Sequence, residues 1–173
     1  NNHMLFDRGR GATKDMHSNT TAAEVTNVNT LQRFLEAGVQ VGNDVEVNTA
    51  NESYVLWNFM AEATGSGTLN EVGSIDSTVL VDTTLGMSVG TYTGNLSASQ
   101  TIGHGLGVTP QMVLFKNTSV AGSWVVYHEA LGNAQMVLLN STEAKQGSAG
   151  VWGSTSPTSS VLAVSNNASV NGS

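Results

Sequence analysis

Residues 3–24, HMLFDRGRGATKDMHSNTTAAE, align without a gap on residues 124–145, WVVYHEALGNAQMVLLNSTEAK. Gly11 falls on Gly132, Asn19 on Asn140 and Thr21 on Thr142, while Phe6-Asp7 meets Tyr127-His128. The match resumes with Val41-Gly42-Asn43-Asp44 and Val47-Asn48 on Val164-Ser165-Asn166-Asn167 and Val170-Asn171. The offset there has grown from 121 to 123. A period of about 120 residues is far longer than the roughly 20–50 of a solenoid unit, so it reads as a tandem domain.

Composition points the same way. Charged residues make up only 11% of the chain, and Ser, Thr and Asn, 55 of 173 residues, supply the polarity instead. With abundant Val and 19 Gly, that mix favours short strands joined by polar turns, because β-branched side chains suit a pleated, half-buried surface. The net charge of −7 lies entirely in residues 1–82, and no Arg follows Arg33. A groove that tracks phosphates therefore has almost nothing to be built from, and nucleic-acid binding is not expected. Cysteine is absent, so stability has to come from core size, oligomerisation or both. No apolar run is long enough to suggest membrane insertion, and no leader sequence is visible.

The expected organisation is a partial β-module over 1–62, a linker over 63–70 and a second β-module over 71–173 that lacks its last strand. In the first, strands are expected at 3–7 and 39–41 with a further segment near 16–21, and the apolar run SYVLWNFMA (53–61) reads as a buried strand. In the second they are expected at 79–81, 88–93, 111–117, 123–128, 135–139 and 161–165. Spacings of about 10–12 residues signal an antiparallel sandwich, jelly-roll-like, with at most one short helix. Residues 30–37 are the one ambiguous stretch. Asn29 as cap, Leu31, Phe34 and Leu35 on one face and Gly38 as terminator suggest a helix. The repeat argues against it, since the equivalent stretch contains Pro157.

Motifs for chemistry are incomplete. Gly86-Met87-Ser88-Val89-Gly90 has the G-x-S-x-G pattern of a nucleophile elbow, but a strand and a turn follow where the elbow needs a helix. The segment Gly103-His104-Gly105-Leu106-Gly107 leads to Pro110 and a strand, not to a helix N-terminus that would hold phosphate. The expected role of His104 is to hydrogen-bond across that loop and hold it closed. His128-Glu129 starts like a zinc-protease motif without the second His, and no His pair has ligand spacing. Neither a catalytic set, nor a metal, nor a cofactor is expected. Seven Asn-x-Ser/Thr sequons, among them Asn167 and Asn171, follow from composition. Of the tryptophans, Trp57 and Trp124 lie in apolar strands and are expected in the core. Trp152, between Gly150 and Gly153, is the candidate exposed ring for stacking on a glycan.

The ordered set Gly90-Thr91-Tyr92-Thr93-Gly94, then 101–116 (TIGHGLGVTPQMVLFK), then Trp124-Val125-Val126-Tyr127-His128 and Leu139-Asn140 resembles a repeated β-module of bacteriophage tail-fibre and virion structural proteins, especially marine ones. Val170-Asn171, Val47-Asn48 and the run Tyr54-Val55-Leu56-Trp57-Asn58-Phe59 extend the resemblance over most of the chain. Val161-Leu162 departs from it, standing where an aromatic is common. The resemblance implies a non-enzymatic structural or host-recognition protein of a virion or extracellular surface. Its implied partners are copies of itself in a homo-oligomer or filament, with a host-surface glycan or protein as a further partner. A carbohydrate-binding module and a microbial cell-surface filament subunit are the alternatives. Because the second module stops before its own copy of the YVLWNF strand, strand addition by Tyr54, Leu56, Trp57 and Phe59, within the chain or between subunits, is expected.

Overall fold

The computed structural model describes residues 1–59 and 67–172. Five strands precede the undescribed stretch: β1 (Met4–Leu5), β2 (Lys14–His17), β3 (Val25–Thr26), β4 (Leu31–Leu35) and β5 (Gly38–Val41). Nine follow: β6 (Thr68–Asn70), β7 (Ser77–Asp82), β8 (Met87–Tyr92), β9 (Gln100–Gly103), β10 (Met112–Phe115), β11 (Val125–His128), β12 (Gln135–Leu138), β13 (Gln146–Gly147) and β14 (Val161–Val164). A 3-10 turn (Glu129–Leu131) and one short α-helix, α1 (Ala168–Asn171), complete the described residues. The fold is mainly β, and every strand pairing is antiparallel. The sheets run β1-β2-β3, β4-β5, β6-β7-β8, β10-β11-β12-β13, and β14 with β9.

Local chemistry sets the turns. Between β7 and β8 the Asp82 carboxylate accepts the N–H groups of Thr84 (2.8 Å) and Leu85 (2.9 Å). The side chain thus stands in for a backbone turn acceptor. At the end of β11 the His128 ring accepts the Ala130 N–H through Nδ1 at 3.1 Å, capping the 3-10 turn. Pairing of Val39 and Val41 with Phe34 and Leu31 makes 31–41 a bulged hairpin, so the helical reading of 30–37 is wrong. Its Leu31/Phe34/Leu35 spacing fits a helix face, but β-branched partners five residues beyond Phe34 and ten beyond Leu31 give those side chains a ladder instead. The expected linker also ends early: Thr68–Asn70 pairs with β7, while 63–66 lie outside the described residues.

The repeat is written into the hydrogen bonds. Pairs Met4↔His17 and Leu5↔Met16 recur, 121 residues on, as Val125↔Leu138 and Val126↔Val137. Lys14↔Thr26 and Asp15↔Val25 recur as Gln135↔Gly147 and Met136↔Gln146. The Asn19 side chain accepts the His3 N–H at 2.8 Å, as Asn140 accepts that of Trp124 at 2.8 Å. At the second offset, Asp44 accepts the Glu46 N–H at 2.9 Å and Asn167 that of Ser169 at 2.9 Å. A one-residue slip would reverse every side chain. Identical registers over four residue pairs in two strand pairings therefore mean that the two stretches fold alike despite few identities.

The core lies in the second stretch. Ile75, Ile102, Phe115, Val125, Tyr127, Val151, Trp152, Val164 and Val170 form one buried cluster. It is the largest apolar burial in the described chain, and burial at roughly 25 cal/mol per Å² is the dominant favourable term for such a domain. The two repeats also touch: the Trp124 indole N–H donates to the His17 carbonyl at 2.9 Å, and Gly9 sits against Leu80 and Val89.

Candidate functional site

The glycine-rich loop after β9 closes on itself. Gly103 is buried where a Cβ would collide with the Asn70 amide oxygen and come within 2.5 Å of the Val72 carbonyl, so close backbone approach requires glycine there. The next residue, His104, accepts the Leu106 N–H on Nδ1 (3.2 Å). Its other nitrogen, Nε2, carries the proton and donates to the Thr158 carbonyl (3.2 Å). Gly105 and Gly107, both with φ of +73°, shape the turn, and half-buried Pro110 leads into β10. The neutral ring therefore bridges its own loop and the 158–160 segment. Ser88 gives its hydroxyl proton to the His104 carbonyl at 2.8 Å, not to the ring, so the two do not form a nucleophile–base pair.

Burial holds His104 below its ordinary value of 6.5. A neutral ring in the fold means that its stabilisation is full above about pH 6.5 and is lost as the pH falls further, through the folded-state value. Melting temperatures of the native chain and His104→Gln, measured from pH 8 to 5, are expected to differ most above about pH 6.5 and to draw together as the pH falls below it. A constant gap would contradict that assignment.

The aromatic residues change places relative to expectation. Trp152 is 2% exposed; its ring lies 5.4 Å from that of Phe115 and meets Tyr127 edge-on at 6.1 Å. It is a core residue, and its flanking glycines shape the turn around it without exposing it. Trp124 is buried, as expected. Trp57, expected in the core, is 76% exposed, and Tyr54, Val55, Leu56 and Phe59 are exposed beside it. Residues 53–59 belong to no strand, so the buried-strand reading fails for them. Met60 and Ala61 lie outside the described residues. An apolar run is legible in sequence, whereas the partner that would bury it is not.

One cluster carries no motif and escaped sequence reasoning. The Arg10 guanidinium, 7% exposed, lies 2.5 Å from Asp7 and 3.1 Å from Glu24. Lys14 reaches Glu24 at 3.5 Å. Nearby, His17 Nε2 stands 3.4 Å from Glu46. Burial raises Asp15 above its ordinary carboxyl value, although His17 opposes the shift. The i,i+3 spacing of Asp7 and Arg10 was the one available signal. The arrangement ties the β1–β2 loop to β3; among the described residues, no group of three or more His, Asp and Glu is placed to hold a metal ion.

The family described as Domain of unknown function (DUF7483) matches residues 1–173, the full length of this sequence. The chain belongs to that family. No curated protein and no solved structure matches it. In this DUF7483 chain the site features are therefore a hydrogen-bonded glycine loop, a buried ion-pair cluster and an exposed aromatic run. The glycine loop satisfies its own polar groups, the ion-pair cluster leaves the buried His17 Nε2 without a hydrogen bond, and the third exposes an apolar surface. No described helix is long and apolar enough to cross a membrane.

Proposed function

We propose that this chain is a non-enzymatic structural and assembly protein of a virion or other extracellular appendage, tail-fibre-like, working as a homo-oligomer. The observation that supports this reading best is the exposed run Tyr54, Val55, Leu56, Trp57 and Phe59. Soluble monomers rarely leave so large an apolar patch open, and contiguous exposed apolar surface marks an interaction site. An aromatic segment outside any described strand suits strand addition to a neighbour's sheet edge, where backbone bonds give affinity and alternate side chains give specificity. Tandem units with low charge suit an extended particle surface. Negative-stain imaging of the purified protein tests this: discrete elongated oligomers are expected. A uniform monomer with a hydrolytic activity abolished by Ser88→Ala would overturn it.

Exposed Trp57 and Tyr54 on one segment favour a second reading, in which the aromatic rings stack on a host-surface glycan. Glycan binding by a monomeric chain, lost on Trp57→Ala, would select it over assembly.

A further inference from the structure

Where the two repeats meet, residues 21–24 of the first hold the 118–122 loop of the second. Glu24 N–H donates to the Thr118 carbonyl at 2.9 Å, and Gly122 N–H donates to the Thr21 carbonyl at 2.8 Å. Lys116 Nζ also reaches the Thr21 carbonyl, at 3.5 Å. The His17 carbonyl accepts two bonds, from Thr20 N–H and from the Trp124 indole. Repeat register carries this whole surface forward by 121 residues, to Thr142, Lys145 and Leu138. There it is empty. Among the described residues no backbone bond reaches the Thr142 carbonyl or the Lys145 N–H, and the Leu138 carbonyl accepts only the Ser141 N–H. Ala23 and Glu24 are half-buried, whereas Ala144 and Lys145 are exposed.

We propose that the 142–145 edge docks a third unit of this same kind, joined in tandem, through that unit's equivalent of the 118–122 loop. The strands that set the edge have the same register as in the first repeat, so donors and acceptors point the same way. Side-chain differences leave the docking groups intact. Glu24 turns its carboxylate to Arg10 and Lys14 of its own repeat, so its replacement by Lys145 removes no bond to the loop. Ala130 stands where Gly9 does; a Cβ on Gly9 would meet Leu80 and Val89 at 3.8 and 3.9 Å, ordinary contact distances, and its one tight approach, 3.3 Å to Asp7 Oδ1, is to a residue of its own repeat that His128 replaces in the second. A second copy of this chain is a poorer occupant, because its own 118–122 loop is already held by its own residues 21–24. Such a contact is heterologous and does not close, so it propagates along one axis. The inference rests on the repeat geometry and is independent of the virion reading.

The test extends the full chain in phase, appending a second copy of residues 51–173 after Ser173. In the native chain, Glu24 N–H should exchange slowly and Lys145 N–H rapidly. In the extended chain, Lys145 N–H is expected to slow by about 100-fold or more, because it becomes a buried interface bond. Disulfide trapping gives a second readout, uncomplicated by native cysteines. A Cβ at Gly122 meets nothing within 4 Å, so Thr21→Cys with Gly122→Cys is the reference pair in the native chain. Thr142→Cys with Gly122→Cys in the appended copy should cross-link with comparable yield. A reference pair that forms while the extended pair does not, or an appended unit that fails to slow Lys145 exchange, whether it folds elsewhere or not at all, overturns the proposal.

Discussion

Trp152→Ala is expected to destabilise the chain by about 4 kcal/mol, the usual cost of deleting a buried indole, lowering the melting temperature by roughly 10 °C for a domain of this size. The ring fills the centre of the core between Phe115 and Tyr127. The cavity that adjoins it measures only about 10 Å³. Trp57→Ala should leave the melting temperature within a degree or two, because its ring is already in solvent. Thermal unfolding followed by circular dichroism checks both. Equal effects at the two positions would mean that the core has been assigned wrongly.

Asn171 and Asn48 occupy equivalent repeat positions and should respond very differently to alanine. Asn171 is wholly buried: its Oδ1 accepts the Asn95 N–H at 2.9 Å, and its Nδ2 donates to the Ser97 carbonyl at 2.9 Å and to the Asn95 amide oxygen at 3.3 Å. Removal would delete all three of these bonds, each worth about 0.5–1.5 kcal/mol net, so a loss of roughly 3 kcal/mol is expected. Exposed Asn48 makes one bond, to the Gly42 carbonyl at 2.8 Å, and Asn48→Ala should cost less than about 0.5 kcal/mol. Chemical denaturation of the two variants measures the difference. The contrast arises because residues 95 and 97 hold the Asn171 side chain, whereas that of Asn48 bonds only to Gly42.

That contrast also explains what the sequence could and could not reveal. Composition and turn spacing were sufficient for the β class, since Val-rich runs between Gly, Asn and Asp turns leave few other folds open. The repeat was legible because its conserved features are backbone-directed: Asn19 and Asn140 cap the same N–H, and Gly11 and Gly132 occupy the same turn. Short pairings such as Val25–Thr26 and Gln146–Gly147 were invisible, because two-residue strands carry no periodicity. The tryptophans misled for a different reason. Local hydropathy records what a segment would bury, but the burying partner is chosen by topology: Trp152 has the 112–127 sheet over it, and Trp57 has nothing among the described residues. The Arg10 cluster assembles from residues up to 17 apart, in the β1–β2 loop, at the start of β2 and just before β3, so only the Asp7–Arg10 spacing hinted at it.

Sedimentation velocity of the native chain against the double variant Leu56→Ser, Trp57→Ser tests assembly through the exposed run most directly. The native chain is expected to sediment as a concentration-dependent series of oligomers, and the variant as a single monomeric species with an unchanged melting temperature. A native chain that stays monomeric at all concentrations, or a variant that assembles as the native chain does, would contradict assembly through residues 54–59.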